Sequence, residues 1–289
     1  MRCTATTSAR SGSRRSTAFP RCSGRRSRIA SSPERTVLVT GASSGIGAAC
    51  AARLARAGWH VYAGVRNPGD APADATEVLL DVTDPAAVES LRFERLDGLV
   101  NNAGIAVAAP FEDLPLAELR RQLEVNVVGQ LAVTKAVLPA VRAARGRIVL
   151  VGSIAGRSAL PFLGAYAISK FALEAMADSF RVEVAPDGIE VALIEPGTIA
   201  TAIWTKPQPL ADVVSERYRA RVEAFRRVAA ARAAKAVPAE EVARAVEHAL
   251  TAARPKTRYV VGRDARLRAR LEQLPDRLRD RVLAALLRG

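Results

Sequence analysis

From Thr36 onward, short aliphatic and β-branched runs alternate with longer stretches whose apolar positions recur at helical spacing. The short runs predict seven strands, at Thr36–Thr40, His60–Val65, Glu77–Leu80, Gly98–Asn101, Arg147–Val151, Glu190–Ile194 and Arg258–Val261. Most are continuous rather than alternating in polarity, the pattern of strands buried on both faces of a parallel sheet. The periodic stretches predict helices at Ile46–Ala57, Pro85–Leu91, Pro115–Ala143 and Leu163–Val184. Pro238 opens another over Ala239–Ala252, with Glu240 and Glu241 in the first turn where the helix dipole favours them. Strand–helix alternation specifies an α/β fold, a doubly wound parallel seven-stranded sheet flanked by helices in a single domain.

Three segments fall outside that alternation. Residues 1–33 are rich in Ser, Thr and Arg without core periodicity, which predicts a disordered tail ahead of a folded region spanning 34–262. The connection after Pro196 leads into charged helical segments between Ala211 and Ala236, so residues 199–235 read as a lid over the sheet edge. Beyond Gly262 an Arg- and Leu-rich helical extension, 263–289, is divided by Pro275. It suits packing against the domain, self-association or a membrane surface. No uncharged apolar run is long enough for a membrane span, since even Val125–Val141 is interrupted by Asn126, Gln130 and Lys135.

Composition changes this picture in two places. Eight arginines and no acidic residue precede Glu34, so they carry more than half of the net charge of +14 and leave +6 for the rest. A translated segment upstream of the true start, an organelle-type presequence, and a basic arm for nucleic acid or anionic membrane all fit that tail. No specific nucleic-acid recognition is expected. The three cysteines, Cys3, Cys22 and Cys50, have neither an even count nor metal-ligand spacing, which argues against a disulfide framework or metal site and for a reducing, cytoplasmic setting.

Candidate chemistry begins at the first strand, which runs through Thr40 into Gly41-Ala42-Ser43-Ser44-Gly45-Ile46-Gly47 and then a helix. Glycines there let main chain approach a pyrophosphate, and the helix N-terminus offers unpaired N–H groups and a positive dipole end. The spacing departs from the commoner GxGxxG of Rossmann-type dinucleotide folds. The second strand ends without the acidic residue that would hold unphosphorylated ribose; Arg66 stands there instead, suited to a 2′-phosphate. NADP(H) is therefore favoured over NAD(H). Asp81 and Val82, closing the third strand, are placed to meet the adenine edge, while Asp84 suits capping of the next helix.

Tyr166 and Lys170 lie four apart on a predicted helix and so share a face. A nearby ammonium lowers a phenol's pKa toward the working range of an acid/base catalyst. Ser153 follows the strand Arg147–Val151 at the carboxyl edge, where it could bind a substrate carbonyl oxygen or simply cap a helix.

The ordered set TGASSGIG at Thr40–Gly47, Asn101-Asn102-Ala103-Gly104, Asn126, Ser153, Tyr166, Lys170 and Pro196-Gly197-Thr198 resembles the short-chain dehydrogenase/reductase family. The resemblance runs from Thr36 to about Gly262 and implies a single Rossmann-fold catalytic domain. It further implies that Tyr166 exchanges the proton, Ser153 binds the carbonyl oxygen, Lys170 holds the nicotinamide ribose, and Asn126 supports a proton-relaying water. Asn102, Ala103 and Gly104 would line the adenosine-to-ribose track, and Pro196, Gly197 and Thr198 or Thr201 would contact the nicotinamide amide. The second basic residue sometimes present in the glycine motif of NADP-preferring members is absent, Ser43 and Ser44 standing there.

The resulting expectation is an NADP(H)-dependent oxidoreductase interconverting a primary or secondary alcohol and its aldehyde or ketone. Ile199, Ile203, Trp204, Leu210, Val213, Val214 and Tyr218 suggest a hydrophobic, lipid-, steroid- or retinoid-like substrate, or else pack the lid. The family suggests a homodimer or homotetramer. The alternative is a non-catalytic NADP(H)-binding sensor or scaffold with the same fold.

Overall fold

The computed structural model of the chain describes residues 34–201 and 214–285. The expected disordered tail, Ile203, Trp204, Leu210 and Val213 of the lid, and the last four residues lie outside them.

Seven strands form one wholly parallel sheet in the order β3-β2-β1-β4-β5-β6-β7. They are β1 Arg35–Thr40, β2 Trp59–Val65, β3 Thr76–Leu79, β4 Gly98–Asn101, β5 Arg147–Val151, β6 Glu190–Pro196 and β7 Arg258–Val261. The chain builds outward from β1 to β3, then returns to the other side of β1 to lay down β4. That reversal leaves a crevice at the carboxyl ends of β1 and β4, the place where open α/β sheets bind ligands.

Alternate residues of the strands feed two apolar layers. Val37 and Val39 of β1 pack with Ala51 and Leu54 of α1 (Gly45–Arg56) and with Val242 and Val246 of α7 (Ala239–Thr251). Leu38, Leu99, Ile148 and Leu150 face the opposite side. There they meet Val88 of α2 (Pro85–Glu89), Val133, Val137 and Val141 of α4 (Gly129–Ala144), and Ala177 and Val184 of α5 (Gly164–Val184). Sealing both faces explains why the strands read as continuous apolar runs.

One helix departs from expectation. The periodic stretch predicted as a single helix over Pro115–Ala143 is α3 (Leu116–Leu123), a π-helical turn at Glu124–Val128, and then α4. The π turn holds Asn126, whose side chain is bonded outside the helix, a tertiary demand that apolar periodicity does not record. By length and composition the run Leu116–Ala144 could cross a membrane; Val133, Val137 and Val141 of its α4 portion pack into the core beside the sheet.

The C-terminal extension forms α8 (Arg263–Leu271) and α9 (Asp276–Ala285), with α6 (Glu216–Ala233) preceding α7. Arg53 of α1 bridges Glu240 and Glu247 of α7, each at 2.6 Å, pinning the two helices of one layer together.

Leu99 lies fully buried at the middle of the sheet. Leu99→Ala should lower unfolding free energy by roughly 2–5 kcal/mol. A urea midpoint that does not move would contradict this placement of the core.

Candidate active site

The glycine-rich turn is shaped by close approach. Gly41 has φ +65°, and a Cβ there would stand 2.9 Å from the Cα of Ala103. A Cβ on Gly47 would stand 2.2 Å from the carbonyl oxygen of Gly41. Asn102 locks the turn from β4: its Nδ2 donates to the carbonyls of Thr40 and Gly41 at 3.0 and 3.1 Å. Thr40 Oγ1 in turn accepts from the main-chain N–H groups of Asn102 and Ala103, both at 3.0 Å. Ser44 occupies the N-cap of α1 without a side-chain capping bond, and no acidic residue stands in the first turn. A helix N-terminus left in that condition can receive an anion.

The residues expected to border an adenosine follow β2 and β3. Arg66 is exposed immediately beyond β2. Asp81 accepts from the Thr83 N–H at 2.9 Å and from the Thr83 hydroxyl at 2.7 Å. Those bonds, with a contribution from the Arg66 charge, hold its carboxyl below the usual range. Asp84 caps α2 by accepting from Ala86 N–H. Val82 is buried against Gly129.

Tyr166 and Lys170 share the buried face of α5. The Lys170 Nζ donates to the Val151 carbonyl at 2.9 Å and lies 5.6 Å from the Tyr166 ring centroid. Burial presses the ammonium's pKa down to about 8. Burial also raises Tyr166 above its ordinary value of 10.0, opposed by a hydrogen bond with Ser153 and by the Arg268 charge. The expected lowering of the phenol by Lys170 is therefore not found: desolvation dominates, and the opposing contributions come from Ser153 and Arg268.

Ser153 caps the short 3-10 helix Ile154–Gly156, its Oγ accepting from Ala155 N–H at 3.1 Å while remaining bonded to Tyr166. The capping serine is thus also the one that meets Tyr166. Asn126 is fully buried. Its Oδ1 accepts from Ile105 N–H at 2.8 Å, and its Nδ2 donates to the Ile105 carbonyl and to Ser169 Oγ, at 2.9 and 3.0 Å. That side chain ties the loop after β4 to α5, and Gly104 is kept small beside it.

At the end of β6, Pro196-Gly197-Thr198 is fastened by the extension: Asp264 of α8 accepts from Thr198 N–H at 2.7 Å. A Cβ on Gly197 would meet the same carboxylate at 2.3 Å. Thr201 approaches the glycine turn closely enough for its Cγ2 to stand 3.2 Å from a Cβ on Gly45. Buried Ile199 bridges to Val237. All four predicted catalytic residues and the predicted dinucleotide track, from Gly41, Ser43, Ser44, Gly45, Ile46 and Gly47 through Asn102–Gly104 to Thr201, occupy the carboxyl edge.

A cavity of about 590 Å³ opens beside Tyr166 and Ser153. Its walls are mostly apolar, from Leu163, Val222, Phe225 and Phe162 among others. Phe162 adopts φ +66°, unfavourable for a bulky side chain, and packs edge-on to Tyr218 and Phe225 of α6. Tyr218 also donates to Glu112 at 2.8 Å, so it fastens α6 rather than lining the cavity. Sequence reasoning missed Asp264 and Arg268 of α8, which reach this edge. The available signal was the spacing of Arg268 three residues after the fully buried Ala265, which puts it on the inward face.

A sheet with a glycine cradle at its switch point and an ionisable Tyr–Lys–Ser group alongside defines a dinucleotide-dependent class of oxidoreductase. Residues 35–209 match the family model of the short chain dehydrogenases, and the chain belongs to that family. It is 42% identical over 183 residues to 3-amino-tetrahydro-pyrrolizinone reductase of Xenorhabdus hominickii, a match covering 60% of this chain and 64% of that relative's length. Over 270 residues it is 34% identical to NADPH-dependent 3-dehydrocapnine reductase of Ornithobacterium rhinotracheale, covering 86% of this chain and 95% of the relative. The fold is similar to a short chain dehydrogenase of Burkholderia cenocepacia solved in complex with NADP, with TM-score 0.69 and 28% identity, covering 88% and 98% of the two chains.

The buried lysine carries a measurable pH signature. Its unfolded-state value is 10.5, so between about pH 8 and 10.5 the unfolded chain holds a proton the folded one lacks, and stability rises with pH. Below about pH 8 that contribution is lost. Lys170→Met should therefore gain on the order of 3 kcal/mol relative to wild type on going from high to neutral pH. Urea midpoints that follow the same pH course in both proteins would contradict the burial of the charge.

Proposed function

We propose that this chain is an NADP(H)-dependent oxidoreductase that interconverts a hydrophobic aldehyde or ketone and the corresponding alcohol. The observation that carries the proposal is the buried Tyr166–Lys170 pair, with Ser153 bonded to the phenol, between an apolar cavity and a glycine cradle.

The residues present fit a dinucleotide. The cradle that a Cβ at Gly41 or Gly47 would fill, with the uncapped N-terminus of α1, suits a pyrophosphate. Arg66 supplies the fixed charge for a 2′-phosphate, and Asp81, Val82, Asn102, Ala103 and Gly104 would border the adenosine and ribose. Pro196, Gly197, Thr198 and Thr201 would border the nicotinamide. When bound, the nicotinamide supplies or accepts the hydride.

The chain's own residues do the rest. Ser153 and Tyr166 converge on the carbonyl oxygen; Ser153 orients it and Tyr166 delivers the proton that neutralises the developing alkoxide. A phenol raised above its ordinary value is protonated at neutral pH, which suits the direction of reduction. Lys170 keeps a positive charge beside the phenolate left behind, and its remaining N–H groups would hold the nicotinamide ribose. Asn126 braces the helix carrying Tyr166 and would steady a proton relay. The exposed apolar residues Leu131, Ile168 and Phe171 of α4 and α5 support self-association as a homodimer or homotetramer. A buried free thiol at Cys50, pushed up to about 12, is in keeping with a reducing cytoplasm.

Two measurements check the proposal. Nicotinamide fluorescence titrations should show NADPH binding about tenfold tighter than NADH, and Arg66→Ala should lose about 1.4 kcal/mol of that preference. Equal affinities would make Arg66 a surface arginine. With NADPH and a panel of hydrophobic aldehydes and ketones, Tyr166→Phe should lose at least about 100-fold in turnover while binding NADPH as before. Unchanged turnover would reject Tyr166 as the proton donor.

A further inference from the structure

The cavity beside Tyr166 is apolar along most of its wall, yet three arginines line it, Arg226 and Arg232 on α6 and Arg268 on α8. Arg268 is the most deeply set of them. Its Nη2 donates to the main-chain carbonyl of Ser158, while its Nε is buried with no hydrogen-bond partner among the described residues. The carboxylates that act on it from a distance are committed elsewhere: Asp264 accepts from Thr198 N–H, and Glu272 pairs with Arg279 at 2.9 Å. Arg232, the neighbouring cation, works against Arg268, whose pKa is pressed down to about 10 by burial first and by that repulsion second.

A guanidinium taken out of water with an N–H unspent and a second cation beside it is unfavourable unless something negative joins it. Packing alone gives no reason for such a placement, since a leucine or methionine would fill the same wall at less cost. Arg268 is also near enough to Tyr166 for each charge to act on the other, which puts it on the reacting side of the cavity.

We propose that the substrate carries an anionic group, a carboxylate, sulfonate or phosphate, next to its apolar body, and that Arg268 receives that group with Arg232 alongside. The inference rests on the oxidoreductase reading, since it places the anion on the same molecule whose carbonyl meets Ser153 and Tyr166. The apolar remainder then lies along Val222, Phe225 and Phe162. Charge-assisted bonds to the planar guanidinium fix its head, and hydrocarbon contacts give affinity without strong selection for chain detail. An anion on Arg268 also cancels the charge with which that residue opposes protonation of Tyr166.

The test uses the full chain saturated with NADP+, with decanoate and its uncharged counterpart decanamide as calorimetric probes. Decanoate should bind at least about tenfold tighter than decanamide, the ratio falling below about threefold in Arg268→Met and recovering in part in Arg268→Lys. NADP+ affinity and cooperative melting report that each variant is folded; should Arg268→Met fail that check, Arg232→Met must lower the ratio instead. Equal binding of the two probes by wild type overturns the inference, as does a ratio insensitive to whichever folded Arg→Met variant is used. If NADP+ does not bind at all, the oxidoreductase reading falls, and the ratio measured on the cofactor-free chain still decides the anion subsite.

Discussion

Lys170 carries an ammonium into a region from which water is excluded, and its Nζ is held by the carbonyl that ends β5. Such a charge is unfavourable there, as its depressed pKa records. Much of the neighbouring structure is arranged around keeping it. The bond to Val151 sets how α5 lies across the sheet, and that setting puts Tyr166, one turn earlier, against Ser153. A further turn on, Glu174 is pushed up to about 7 by burial and by the Glu195 carboxylate, with Arg258 bridging both. The reacting edge is thus backed by a charged cluster that costs stability and holds α5, β6 and β7 in fixed relation.

The same edge is braced from three other directions. Asn102 and Thr40 close the glycine turn across β1 and β4. Asn126 joins the loop after β4 to Ser169 on α5, using a π turn to aim its side chain. Asp264 brings the extension back to the Thr198 main chain, and with it Arg268 to the cavity wall. Gly45 and Thr201, 156 positions apart, therefore approach each other across one crevice, the ordinary consequence of placing strand ends from both halves of a doubly wound sheet together.

Much of this was readable from residue order alone, for a physical reason. Parallel strands buried on both faces leave continuous apolar runs, and all seven are where those runs stand, shifted by a residue or two at β1, β2, β3 and β6. The four-residue spacing of Tyr166 and Lys170 likewise states a shared helix face. What the pattern could not contain was any feature decided between distant segments. The π turn preserves apolar periodicity while changing main-chain pairing, so Pro115–Ala143 read as one helix. The direction of the Tyr166 shift depends on how much water is removed, which spacing does not specify. Arg268 belongs to an Arg-rich segment in which charge resembles a solvated face, and only its register with Ala265 marks it as inward.

Under the proposed function, hydride passes between a nicotinamide ring and a carbonyl carbon held at Ser153 and Tyr166. The most direct measurement is the fate of deuterium from stereospecifically labelled [4-2H]NADPH during reduction of an active aldehyde or ketone, followed by mass spectrometry of the product. Deuterium is expected at the carbinol carbon from one labelled face of the nicotinamide and protium from the other. Product alcohol free of deuterium from both labelled cofactors, or label that exchanges with solvent, would contradict direct hydride transfer at this site.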